Sequence, residues 1–143
     1  VGASRGQEIL TMRPNNDEGY GRVDMAKVVN QNNILKVVDS KGVATGEAES
    51  HSVKITKAGN LVVNIVWTDA PGSVNSSKAL VNDLDLEVLL PNGKLLTNND
   101  QINNHSFVQS ALSEGEVKIT VKGANVPMGK AGKQPYALVV SVQ

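Results

Sequence analysis

The chain has 143 residues, which suits one domain of ordinary size with a substantial buried core. Fourteen basic residues balance fourteen acidic ones, so the chain lacks the basic surface that nucleic acid or an anionic membrane would require. Cysteine is absent, which excludes disulfides, thiolate metal sites and thiol nucleophiles. No apolar run approaches the roughly 20 residues of a membrane span. We therefore expect neither a nucleic-acid nor a membrane partner.

The pattern of residues changes near residue 30. Residues 14–19 are rich in turn formers, and residues 24–29 predict a short helix with Asp24 at its N-terminus. From Ile34 onward the apolar period is two, which is typical of β-strands. Residues 61–67 are apolar on both faces except for Asn64, which predicts a central strand. The other predicted strands cover residues 34–38, 53–55, 84–90, 117–121 and 136–142.

The segments between these strands are of two kinds. Short turn signals separate most of them, and Asn92-Gly93 is the strongest because both residues tolerate positive φ. Several short strands with almost no helix predict an antiparallel sandwich or jelly roll. Two connections, residues 68–82 and 97–105, are long for a compact β domain and rich in oxygen-bearing side chains. These two loops are where we expect a functional site.

The acidic residues in and beside these loops suggest a cation site. Asp83 and Asp85 stand two apart, so they share one face of a strand. If the loop of Asp100 folds back beside them, three carboxylates converge, and a divalent cation would remove their repulsion. Carboxylate and amide oxygens are the ligands that calcium takes. The alternative is that these Asp and Asn residues only cap turns through local hydrogen bonds.

Catalytic motifs are weak. Residues 2–6 match the Gly-x-Ser-x-Gly pattern of a nucleophile elbow, but no strand precedes them. His51 and His105 lack a spaced partner that would indicate a general base or a zinc ligand, so we expect both on the surface. Trp67 falls in a strongly apolar strand and is interpreted as a core residue. Catalysis by this chain alone is not expected.

Two stretches resemble the C-terminal part of those subtilisin-like serine proteases that carry a β-jelly-roll domain after the catalytic domain. Residues 16–24 (NDEGYGRVD) are similar to the closing turn and helix of such a catalytic domain. The second stretch begins with VWTDAP at residues 66–71 and LVNDLDL at 80–86. Its later pieces are residues 91–93, Asp100 with Asn103-Asn104, residues 125–127 and residues 136–140. The LVNDLDL element is shared more loosely with P domains of proprotein convertases and with prepeptidase C-terminal domains.

The resemblance implies an all-β protein, an antiparallel β-sandwich of jelly-roll type similar to galactose-binding domains. That domain would span residues 31–143, behind residues 1–30 as a remnant of the end of a catalytic domain. It implies a non-catalytic accessory domain of a secreted subtilisin-like serine endopeptidase whose triad lies upstream. The expected partner is the catalytic domain of the same polypeptide. His105-Ser106 stands where relatives tend to carry Val-Glu, so one acidic residue of the family pattern is missing. The calcium ligands that the resemblance carries over are Asp83, Asp85, Asp100 and Asn103, with Asp69 as an outer candidate.

Two other functions fit the same residues. The first is a targeting module that binds a protein substrate such as collagen or another insoluble protein, through an exposed ridge on one sheet. The second is a carbohydrate-binding module, since jelly rolls commonly carry those. Only four aromatic residues are present, which disfavours the carbohydrate module.

Overall fold

The computed structural model describes residues 19–21, 23–29 and 31–143. Within them no helix is long and apolar enough to cross a membrane. A five-residue helix, α1 (Met25–Val29), and a 3-10 helix (Gln31–Asn33) precede the strands. The eight strands are β1 (Ile34–Val43), β2 (Ala48–Ile55), β3 (Gly59–Val66), β4 (Asp83–Leu89), β5 (Leu95–Asn98), β6 (His105–Leu112), β7 (Gly115–Asn125) and β8 (Gln134–Val142).

The strands form two four-stranded antiparallel sheets. The first sheet has the order β1-β8-β3-β6, and the second has the order β2-β7-β4-β5. Consecutive strands therefore alternate between the two sheets along most of the chain. Eight strands in these two orders make a jelly roll, in which two Greek keys are folded over each other. The predicted all-β antiparallel sandwich is confirmed.

The core lies between the sheets, and strand alternation builds it. In β4, Leu84, Leu86 and Val88 are completely buried, while Asp85 and Glu87 point away from the core. The central strands β3, β7 and β8 contribute in the same way. The residues with the largest fully buried side chains are Leu61, Ile65, Leu84, Leu86, Ile119, Leu138, Val43, Val63, Val88, Val117, Val121 and Val140.

Two turns depend on local chemistry. At the β4–β5 hairpin, Gly93 has a φ of 81° and Asn92 accepts a hydrogen bond from the Lys94 amide at 3.0 Å. This is the predicted Asn-Gly turn. At the end of β1, Gly42 has a φ of 106°, and a Cβ there would collide with the backbone of Gln134. Glycine is therefore required where β1 bends away towards the second sheet.

The segment before β1 is short of regular structure. Asp24 Oδ1 accepts a hydrogen bond from the Ala26 amide at 3.1 Å, which is the geometry of a residue capping the start of α1. The Gly-x-Ser-x-Gly pattern at residues 2–6 lies outside the described residues, as do residues 16–18 and 22 of the stretch at 16–24. The division of the chain at residue 30 stays a prediction.

Candidate functional site

The loop between β3 and β4 is closed at its base by Asp69. Its Oδ1 accepts hydrogen bonds from the amides of Ala70 and Asn82, both at 2.8 Å, and its Oδ2 accepts one from Val81 at 2.7 Å. One carboxylate therefore holds together two backbone segments twelve residues or so apart. Asp69 acts here as a structural residue of its own loop.

The same loop is anchored to the sandwich by Asn82, which is completely buried. Its side-chain amide donates to Gln134 Oε1 at 2.7 Å and accepts from the Met128 amide at 3.0 Å. Trp67 is a core residue, as predicted, and its indole nitrogen donates to the Asn82 carbonyl at 2.9 Å. These buried polar groups satisfy one another, which gives the loop base a single geometry.

The second long loop is bonded through Asn104 to Trp67, the residue at which the first long loop leaves the central strand. The Trp67 amide donates to the Asn104 carbonyl at 3.1 Å, and the Asn104 side chain donates to the Trp67 carbonyl at 2.9 Å. The loop that follows β5 is thereby held against the end of β3. This places the Asp100 loop at the same end of the sandwich as the start of β4.

Asp83 opens β4, and its carboxylate is poorly satisfied. Only 8% of its side chain is exposed, Oδ1 is buried with no hydrogen-bond partner, and Oδ2 lies 4.0 Å from Lys78 Nζ. Burial raises the pKa of Asp83, and the negative charges of Asp85 and Asp100 raise it further, against the opposing charge of Lys78. Asp83 therefore retains a free buried oxygen next to other carboxylates.

Asp85 lies two residues further along the same face of β4. Burial and the neighbouring charge of Glu87 raise its pKa, while Lys122 lowers it. Lys122 faces Asp85 from β7, but its ammonium donates to Glu87 Oε1 at 2.6 Å. Lys122 is therefore bonded to Glu87 and compensates the negative charge of Asp85 less directly.

Asp100 and Asn103 form one local unit. Asp100 Oδ1 accepts from the Ile102 amide at 2.8 Å and the Asn103 amide at 3.2 Å, and Oδ2 accepts from Asn103 Nδ2 at 2.6 Å. Burial opposes ionisation of Asp100, but these hydrogen bonds and the charge of His105 outweigh burial and lower its pKa. This is the turn-capping role that was the alternative to a metal ligand.

The five predicted ligands therefore fall into separate groups. Asp69 serves its own loop, Asp100 and Asn103 serve theirs, and Asp83 and Asp85 lie on β4 within electrostatic range of Asp100. Among the described residues, no three His, Cys, Asp or Glu side chains are close enough together to hold a metal ion. The donor set fits calcium only if Asp83 and the Asp100 loop move closer, and the unpartnered oxygen of Asp83 is the feature that favours this.

A second polar cluster, absent from the sequence-based predictions, lies between the sheets where β1 and β2 are the edges. Glu49 accepts hydrogen bonds from Ser40 Oγ at 2.5 Å and from the Tyr136 hydroxyl at 2.8 Å. His51 Nε2 lies 2.9 Å from the same hydroxyl and 3.8 Å from Glu49 Oε1. The expectation of a surface histidine is wrong for His51, since only 9% of its side chain is exposed.

The cluster does not have the geometry of a catalytic triad. Ser40 bonds to the carboxylate of Glu49, so the histidine does not activate it as a nucleophile. Burial lowers the pKa of His51, and burial together with Glu49 raises the pKa of Tyr136 far above its ordinary value. Both groups are therefore neutral near pH 7 and serve to satisfy buried polar atoms.

An open cleft of about 800 Å³ lies at the loop end of the sandwich. Its walls come from the start of the β3–β4 loop, including Trp67 and Asp69, and from Met128 and Gln134 on the opposite side. The polar atoms of Asp69 and Gln134 are already bonded within the protein. These bonds occupy the groups of Asp69 and Gln134 that would otherwise be offered to a ligand in the cleft.

Comparisons with known proteins add a partial similarity. No family model matches the chain. Over 81 residues the chain is 31% identical to a protein of Dictyostelium discoideum named serine protease/ABC transporter B family protein tagA, a match that covers 50% of this chain. The chain spans only 5% of the length of that relative. The chain is thus similar to a small part of a much longer protein whose name includes a serine protease.

Among solved structures, the chain is similar to PliG of Aeromonas hydrophila, a periplasmic inhibitor of g-type lysozyme. The TM-score is 0.43 and the sequence identity 17%, over 79% of this chain and 90% of that one.

Proposed function

We propose that this chain is a non-catalytic accessory domain of a secreted subtilisin-like serine protease, and that it stabilises the catalytic domain of the same polypeptide. The observation that carries the proposal is the similarity to a short segment of a far longer protein named as a serine protease. Two features of the described residues support it. They form a closed jelly roll, and the Ser40 hydroxyl bonds to a carboxylate and not to a histidine.

The proposal is tested in the longer polypeptide that contains this chain. Deleting residues 31–143 is expected to shorten the half-life of proteolytic activity at elevated temperature about tenfold, which corresponds to roughly 1.4 kcal/mol of lost stabilisation. The purified 143-residue chain is expected to cleave no protein substrate. An unchanged half-life after deletion, or protease activity in the short chain, would refute the assignment.

We also propose that calcium binds between the start of β4 and the Asp100 loop. Asp83 would supply its unpartnered Oδ1, and Asp85, Asp100 and Asn103 would supply the other oxygens. Calcium would neutralise carboxylates that otherwise repel one another across the loop. A ligand that binds only the folded state, at a hundredfold excess over its dissociation constant, stabilises by about 2.7 kcal/mol.

The calcium proposal has a matched pair of variants. Calcium is expected to raise the melting temperature of the wild-type chain, and Asp83→Asn is expected to remove that increase. Asp39→Asn, which changes an exposed carboxylate on β1, is expected to retain it. A melting temperature that is the same in calcium and in chelator would refute the calcium site and leave the accessory role intact.

A further inference from the structure

The outer face of the first sheet, which points away from the core, is unusually apolar. The strand pairings place Val37, Val139, Asn64 and Phe107 side by side across β1, β8, β3 and β6. An antiparallel sheet that faces water normally alternates apolar and polar residues. The residues that the pairings place on this face are Val37, Asp39, Val62, Asn64, Val66, His105, Phe107, Gln109, Ala137, Val139 and Ser141, and the exposed Leu35 lies at the β-bulge beside Val37.

The described residues before β1, which are 19–21, 23–29 and 31–33 and which we name the crossing segment, contact this face through Tyr20. Tyr20 packs edge-on against Phe107 with ring centroids 5.9 Å apart, and its hydroxyl lies 2.6 Å from His105 Nε2. Both partners belong to β6, one edge of the first sheet, whereas Ile34 begins β1 at the opposite edge. The crossing segment therefore connects opposite edges of this sheet on its outer side.

The face is covered only in part. In the middle of the sheet, Val62 and Asn64 are just 6% and 9% exposed, and both polar atoms of the Asn64 side chain lack a hydrogen-bond partner. On the edge strand β1, Val37 is 66% exposed and Leu35 is exposed as well, and Val66 at the end of β3 is also exposed. The crossing segment adds three more exposed apolar side chains, those of Val23, Met25 and Val29.

We propose that this face and the crossing segment form the surface against which the protease domain of the same polypeptide packs. The inference rests on the proposed function and names the site of that contact. The crossing segment leads into β1. A domain joined through this segment is therefore tethered close to this face, which gives it a high effective concentration there. Exposed apolar patches on one face of a domain mark interaction sites.

The side chains on the outer faces of the two sheets indicate which face packs against the protease domain. The outer face of the second sheet exposes Leu89 and Leu95 but also carries Ser52, Lys118, Lys122 and Glu87, so burying it would require charged groups to be desolvated. The first sheet presents aliphatic side chains whose burial is favourable at about 25 cal/mol per Å².

The experiment uses the longer polypeptide and two photo-crosslinking positions. A photoreactive amino acid at position 37, on the first sheet, is expected to crosslink within the same molecule to the protease domain. The matched control is position 95 on β5 of the second sheet, since Leu95 is also an exposed apolar residue, at 53%. We expect at least tenfold more intramolecular crosslinking from position 37. Equal yields from the two positions, or crosslinks only between separate copies, would overturn the proposal.

A second measurement tests whether contact at this face stabilises the protease domain. Val37→Asp is expected to shorten the half-life of protease activity in the longer polypeptide several-fold, and Leu95→Asp is expected to leave it unchanged. An equal effect of the two substitutions would count against the assigned face. If deleting residues 31–143 has no effect, the proposed function itself fails. If the deletion shortens the half-life but position 37 gives no intramolecular crosslink and Val37→Asp has no effect, only the assignment of the face fails.

Discussion

The outer faces of the two sheets differ, although both sheets have four strands and both enclose the same core. The second sheet mostly follows the usual rule, with leucine and valine inside and serine, lysine and glutamate outside, and Leu89 and Leu95 are exposed apolar exceptions where β4 pairs with β5. Its outer side chains bond to one another across strands, as Ser50 does with Thr120 at 3.1 Å. The first sheet breaks the rule with Val62 and Phe107, and Tyr20 packs on Phe107. The outer face of the second sheet is therefore mainly polar and suited to water, whereas that of the first sheet is mainly apolar.

The largest expected effect comes from placing a charge on each outer face. Val62→Asp on the first sheet would bury an unpaired carboxylate and lower the free energy of unfolding by roughly 3 kcal/mol or more. Ser52→Asp on the second sheet places the charge opposite Lys118 and is expected to change the free energy by less than about 0.5 kcal/mol. Chemical denaturation of both variants measures the contrast. Similar losses would mean that the two faces are equally exposed.

A smaller effect of opposite sign is expected at Asn64. Asn64→Val removes two buried polar atoms that have no partner, and should raise the free energy of unfolding by about 1–3 kcal/mol. The control is Asn98→Val on β5 of the second sheet, where the side chain donates to the Phe107 carbonyl at 2.9 Å. That variant should lose about 1 kcal/mol. Destabilisation by both substitutions would show that Asn64 has a bonding partner in solution.

Much of this contrast was visible in the sequence of one strand. Residues 61–67 were apolar on both faces, and β3 indeed lies between β8 and β6 with Val62 directed away from the core. The overall sandwich followed from period-two patterns and turns. By contrast, β5 and β6 were not predicted, because β5 has four residues and the inward positions of β6 include Ser106, which interrupts the apolar period.

The functional residues were harder to predict. β2 begins at Ala48, five residues before the predicted start, and extending the alternation from Val53 back to His51 would have placed that histidine inside. The hydrogen bonds of Asp69 could not be read from sequence, because they depend on how the chain returns to Val81 and Asn82. The calcium ligands stay predictions.

Acid sensitivity is expected from between the sheets and not from either outer face. Burial lowers the pKa of His51, Lys36 lowers it further, and Glu49 opposes both. Burial alone would raise the pKa of Glu49. The hydrogen bonds from Ser40 and Tyr136, together with the charges of His51 and Lys133, outweigh burial and lower that pKa.

The sign is the same for both groups. The unfolded chain takes up a proton on His51 near pH 6.5 and on Glu49 near pH 4.5, before the folded chain does. The contribution of these two groups to the free energy of unfolding should therefore fall as the pH decreases from 7 to 4, while Asp83 and Asp85, whose pKa values are raised, contribute with the opposite sign. His51→Gln should flatten the upper part of this profile, between pH 7 and 5. A variant profile parallel to the wild type in that range would exclude His51 as the cause.

The smallest effect is expected from the charges on the outer face of the second sheet. Lys122 and Glu87 form an ion pair at 2.6 Å, but both side chains are partly exposed, so Lys122→Met should cost only about 0.2–1 kcal/mol. Added salt should reduce this difference between the variant and the wild type. A loss comparable to that of Val62→Asp would contradict the distinction between the two faces.

The carboxylate of Asp69 has a consequence for how this protein could be altered. Because it fastens both ends of the β3–β4 loop, the tip around the fully exposed Val74 contributes little to holding the two sheets together. Each doubling of loop length costs only about 0.6 kcal/mol of closure entropy. Foreign peptides grafted at this tip should be displayed without disturbing the sandwich, and natural variation in size should concentrate there.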